Sequence, residues 1–191
     1  MKTFDLKGEI RDDFGKKAAR AYRREGLIPC VVYGGHNEEN VNFVVKNSDV
    51  RNLIYTSEIY LVNLDLGEKK MQAILREIQF HPVKDSILHI DFLHVFENVP
   101  VEIEIPIRLE GLAEGVRAGG KLSLDMRKLK VRALPAKLPE ELVVNVENLG
   151  LGKSIQVGEL EFEGIELLNA KNAVVCRVQL TRAAKAATKA E

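Results

Sequence analysis

"GKKAARAYRREGLIPCVVYGG", residues 15–35, switches from one structural grammar to another midway. Its first half is built from Ala, Lys, Arg and Glu, all good helix formers. Gly26 then supplies a C-cap, and Pro29 bars continuation, so the helix runs for about ten residues. The second half, IPCVVYGG, reads as an apolar strand closed by a Gly-Gly turn. Five cations, Lys16, Lys17, Arg20, Arg23 and Arg24, fall within the nine residues 16–24. Arg23 and Arg24 lie in the last turn, where they suit the negative end of the helix dipole. Lys16, Arg20 and Arg23 are spaced i, i+4, i+7 and share one face, with Lys17 and Arg24 beside them. Ala18, Ala21 and Tyr22 supply the other face. No Asp or Glu stands between residues 14 and 24, so i, i+4 salt bridges do not neutralise the stripe. A solvated helix face is the plain alternative, but the missing acids point toward phosphate.

Working outward, FDLKGEIR (4–11) alternates loosely and reads as a first strand, with DDFG as a turn. VNFVV is a strand, and NSDVRNLIY a short helix starting at a Ser or Asp cap. EIYLVNLDLGEKKMQAILREIQF reads as a hairpin with Gly67 in its turn, and SILHIDFLHVF as an alternating strand. At VPVEIEIPIRLEG the texture changes. Val101, Ile103, Ile105, Ile107 and Leu109 face one way, and Glu102, Glu104, Arg108 and Glu110 the other. Pro106, on the polar side, implies an edge strand. Short strands continue to about Leu180, with one short helix near 157–161. The reading is therefore mostly β with short helices, divided near 96–100: residues 1–97 form a first domain that carries the basic helix, 98–180 a β domain and 181–191 a mobile tail.

Bulk properties fit this picture. The 191 residues are 46% apolar and 29% charged, as in soluble globular proteins. No apolar run approaches the roughly 18 residues of a membrane span. MKTFDLKGEIRDD lacks a signal peptide's apolar core, so a cytoplasmic protein without membrane contact is expected. Cys30 and Cys176 each lie in an apolar run, as buried reduced thiols do, and their separation offers no zinc spacing. The net charge is zero: residues 1–99 carry 14 Lys+Arg against 15 Asp+Glu, and residues 100–191 the remaining 14 against 13 of the 28 of each sign. A nucleic-acid site must then be a small local surface.

Further along, Leu88, Ile90 and Phe92 point to a core side while His89 and Asp91 point away. In REIQFHP, Ile78 and Phe80 point inward while Gln79 and His81 point outward. If these strands are neighbours, Gln79, His81, His89 and Asp91 make one polar face. A metal site from His81, His89, His94 and Asp91 is the sharper alternative, but His94 has the opposite parity to His89, and no metal or other cofactor is assigned. GVRAGGKLS (115–123) comes within one residue of G-x-x-x-x-G-K-[ST]. Leu122 stands where the metal-binding hydroxyl belongs and a strand follows, so it reads as a flexible Gly loop. No nucleophile–base pattern supports an enzyme. Together the cationic helix, Tyr33 and the polar strand face read as an RNA-recognition surface, cations for phosphates and mixed polar groups for hydroxyls and base edges. A protein-binding stress adaptor whose basic helix meets an acidic partner is the competing class.

These same residues, R…GK…AR..RREG.IP.VVYGG followed by QFHPV…I.HIDF, resemble bacterial large-subunit ribosomal protein twenty-five. The added VEI.IP…GVRAGG segment resembles its long form, often called the CTC or general stress form. The resemblance covers about residues 5–180. It implies an N-terminal six- or seven-stranded β-barrel similar to the anticodon-binding barrels of glutaminyl-tRNA synthetase, plus a C-terminal mostly-β domain. It further implies binding to loop E of 5S ribosomal RNA in the central protuberance, beside neighbouring ribosomal proteins, by a chain that is monomeric when free. Its RNA contacts would fall on Arg11, Lys16, Arg20, Arg23, Tyr33, His89 and Asp91, and on Arg24, Gly34, Gln79 and His81. Short members often carry a Ser inside the helix where this chain has Ala19, so a hydroxyl contact there is missing.

Overall fold

One continuous segment supplies both ends of the first sheet. In the computed structural model, which describes residues 2–34, 40–56, 58–67 and 69–181, β1 (Lys2–Lys7) and β2 (Glu9–Ile10) are separated only by Gly8. The other elements of this unit are α1 (Lys16–Arg24), β3 (Leu27–Tyr33), β4 (Val41–Lys46), α2 (Asn47–Ile54), β5 (Tyr60–Asp65), β6 (Lys70–Phe80) and β7 (Ile87–His94). The seven strands are ordered β1-β5-β6-β7-β3-β4-β2. Because the two end strands are covalently one, the sheet curls into a barrel that closes at Gly8. A Cβ there would meet Phe43 Cδ2 at 2.8 Å, Leu66 Cδ2 at 3.0 Å and the Val44 carbonyl at 3.1 Å, so only glycine fits the seam. The alternation of each strand fills the interior: Leu6, Ile28, Cys30, Val32, Phe43, Val45, Val62, Leu64, Ile90 and Phe92 form one core.

The chain divides into two compact units, Met1–Val99 and Pro100–Glu191. The second contains β8 (Val101–Glu110), α3 (Glu114–Arg117), β9 (Lys121–Leu124), β10 (Lys128–Ala133), β11 (Leu142–Asn145), β12 (Ser154–Gln156), β13 (Glu166–Leu167) and β14 (Val174–Gln179). They form a four-stranded sheet, β11-β8-β10-β13, and a three-stranded sheet, β12-β14-β9. The expected short helix is a single 3-10 turn, Val157–Glu159. The tail expected to be mobile lies, beyond Thr181, outside the described residues. No helix among the described residues is long and apolar enough to cross a membrane.

Four expectations need correction. Pro106 is not on an edge strand, since β8 lies between β10 and β11. Its partners are staggered: β10 covers Val101–Pro106 and β11 covers Ile107–Glu110. Ile107 donates its N–H to Arg127 on the β10 side, so the Pro106 nitrogen faces the side where β11 has not yet begun. GVRAGGKLS is a packed corner, not a flexible loop. Gly115 donates to the Leu149 carbonyl at 2.9 Å and Gly120 to the Gly115 carbonyl at 2.8 Å. A Cβ on Gly120 would stand 2.4 Å from Val178 Cγ1. α2 has no side-chain cap, and Ser48 donates to Asp49 instead. Finally, the core side of β7 begins with Ile87 rather than Leu88, because Phe80 pairs with Ile87 and Gln79 with His89, leaving Leu88 in a bulge. Phe80 keeps the face of Ile78, opposite Ile87, but at the end of β6 it remains 43% exposed.

Candidate nucleic-acid interface

α1 buries no residue completely and lies against β3. Its half-buried face is Ala18, Ala19 and Tyr22, while Ala21, expected inside, is exposed. Gly26 follows the last turn with φ +80, the left-handed conformation that ends a helix cheaply only at glycine. No acid occupies the first turn, so Lys16 and Lys17 add to the positive end of the helix dipole instead of offsetting it. Lys16, Lys17, Arg20 and Arg24 are exposed, and no ion pair among the described residues includes them. Arg23 differs from the other four. Its Nε donates to the Leu88 carbonyl at 3.0 Å, which fastens the helix to the bulge of β7.

Strand register builds the second half of the surface. Gln79 stands opposite His89, and Glu77 opposite Asp91. On the other side of β7, Val31 pairs with Asp91 and Tyr33 with Leu93. Asn42 pairs with Val31 and accepts the Arg11 backbone N–H at 3.1 Å. An outward row therefore crosses the sheet as Arg11, Asn42, Val31, Asp91 and Glu77, with Gln79 and His89 in the next row. The sequence patterns found Arg11 and Asp91 but missed Asn42 and Glu77, which only the strand register places beside them.

His89 Nδ1 lies 2.6 Å from Asp91 Oδ1, both side chains about three-quarters buried at 22% and 24% exposure. The second Asp91 carboxylate oxygen remains an acceptor. His81 is oriented otherwise. Its Nδ1 accepts the Val83 and Lys84 N–H groups, each at 3.2 Å, so the neutral ring carries its proton on Nε2. It organises the turn after β6 and presents a donor. Gly34, with φ +105, lets the end of β3 pass Leu93, whose Cδ1 would be 2.7 Å from a Cβ. Its contribution is backbone shape. Tyr33 is half-buried at that end. Arg11 is held by its backbone, its Nε is buried without a hydrogen bond, and its guanidinium carbon lies 5.7 Å from the centre of the Phe14 ring. Among the described residues no three His, Cys, Asp or Glu side chains could hold a metal.

The barrel carries a cationic helix beside a polar sheet face. Residues 6–92 match the model of the Ribosomal L25p family, and residues 100–182 that of the Ribosomal protein TL5, C-terminal domain. Large ribosomal subunit protein bL25 of Porphyromonas gingivalis is 61% identical over 188 residues, covering 98% of this chain and 97% of that protein. The proteins of the same name from Azobacteroides pseudotrichonymphae and Bacteroides fragilis are 60% and 55% identical, covering 97% and 100% of this chain and 97% and 98% of their own lengths. The chain belongs to the L25p family of ribosomal proteins, and it is not an enzyme.

Proposed function

We propose that this structural constituent of the large ribosomal subunit binds 5S ribosomal RNA at loop E, in the central protuberance. The observation that carries the RNA reading is the junction of two surfaces. Arg23 ties a helix bearing four unpaired cations to the strand that displays His89 and Asp91. Lys16, Lys17, Arg20 and Arg24 meet phosphates, while Gln79, His89 and Asp91 meet base amino groups and 2′-hydroxyls in a shallow minor groove. Arg11, Tyr33 and the His81 Nε2–H extend the contact along the sheet, and Gly34 allows the close approach. The family resemblance of the motifs supports 5S RNA and loop E as the target. The first unit holds every assigned contact. The chain is monomeric when free, works without a cofactor and resides on cytoplasmic ribosomes.

Footprinting on total ribosomal RNA tests the target: protection confined to 5S loop E is expected, and protection elsewhere overturns it. A salt titration tests the chemistry. Roughly four to six phosphate contacts give a log–log slope of about −3 to −5, and a slope near zero removes the phosphate contacts.

A further inference from the structure

Phe14 sits between β2 and α1, outside the hydrophobic core, and the residue is 64% exposed. Single exposed apolar side chains are common on protein surfaces, and what sets Phe14 apart is the cation beside its ring. The ring has a charged neighbour. The Arg11 guanidinium carbon is 5.7 Å from its centre, within the range of cation–π attraction. Arg11 itself is fixed, its backbone N–H bonded to Asn42 and its Nε buried. The ring's exposed area remains open to solvent, and the exposed cations Lys16 and Lys17 follow within three residues.

We infer that Phe14, backed by Arg11, is a stacking platform for one unpaired nucleobase of the bound RNA. This rests on the RNA reading above and sharpens it. A nucleotide offers both groups the place requires, a π-face for the ring and a phosphate for the neighbouring lysines. A continuously paired A-form helix shows no free base face, so the occupant is a splayed or unpaired base. An acidic peptide would satisfy the lysines but offers the ring no base to stack on.

The test uses the full chain and two RNA hairpins of equal length, one containing 5S loop E and one with that loop replaced by Watson–Crick pairs. Phe14→Ala is expected to weaken binding to the loop hairpin roughly 5- to 150-fold, the effect of losing one stacked base, and to leave the paired hairpin unchanged. Phe14→Tyr is expected to retain full affinity, and 2-aminopurine placed in the loop to be quenched by wild type but not by Phe14→Ala. Far-UV circular dichroism confirms that each variant is folded. Equal affinity of Phe14→Ala and wild type for the loop hairpin, or an equal loss on both hairpins, overturns the stacking role while the RNA reading stands. If wild type binds neither hairpin, the RNA reading falls and the stacking role with it.

Discussion

The Arg23 Nε–H bond to the Leu88 carbonyl joins residues 65 positions apart at 3.0 Å. It sets the helix that supplies charge against the strand that supplies hydrogen-bonding specificity. Leu88 can offer its carbonyl because the bulge leaves it without a partner on β6.

That bond separates two members of one cationic stripe. Arg20→Ala should weaken binding to all RNAs by about 1–3 kcal/mol and make the salt slope shallower by about one unit, with no change in melting temperature. Arg23→Ala should do the same and also destabilise the folded unit by about 1 kcal/mol, the net worth of a hydrogen bond. Salt titrations paired with thermal melts distinguish the two, and equal melting of both variants would sink the anchoring role.

Asp91→Asn removes a charge that phosphate repels. If Asp91 only decorates a wet face, affinity should hold or improve. As the partner of His89 Nδ1 and an acceptor for RNA donors, it should instead lose about 1–3 kcal/mol of 5S affinity. An unrelated hairpin should bind as before or slightly better. Titration of both RNAs decides, and unchanged 5S affinity would mean this face does not read the RNA.

Gly8→Ala places a methyl 2.8 Å from Phe43 and 3.0 Å from Leu66, both of them buried. Overpacking of this kind costs about 1–3 kcal/mol. A lower denaturation midpoint is expected, and an unchanged one would show that the seam yields freely.

A fragment ending at Glu97 should keep most of the 5S affinity, because every assigned contact precedes it. Comparable affinity in residues 98–191 alone would move the site to the second unit.

Burial pushes the Cys30 thiol far above its usual range and raises that of Cys176 as well. At neutral pH neither is a thiolate, the reactive form. Ellman's reagent should label both only on unfolding, and rapid labelling of the native protein would contradict the burial.

Much of this was legible in local pattern. The alternation of VEIEIPI gave an accurate inward face on β8, and Gly26 and Pro29 marked the end of α1 because both act on their own backbone. Local pattern failed where a partner strand decides. Parity placed Leu88 inside, but a bulge against β6 displaces it and gives the inward place to Ile87, and no feature of SILHIDF announces it. Asn42 and Glu77 join Asp91 only through register with β3 and β6. Arg23 looks like Arg20 in sequence, and the carbonyl that distinguishes it belongs to a strand far along the chain.

The closure at Gly8 also orders events in time. Asp5 meets its β5 partner Asn63 across 58 positions of chain, so the first strand waits for β5, and pairing this distant slows folding. During synthesis α1 is complete long before Leu88 exists to hold it, so a cationic helix emerges well ahead of the surface that gives it selectivity. Once β1 and β2 occupy their two edges, the barrel offers little exposed strand edge to template a neighbour, which protects the free chain from aggregation while it awaits assembly.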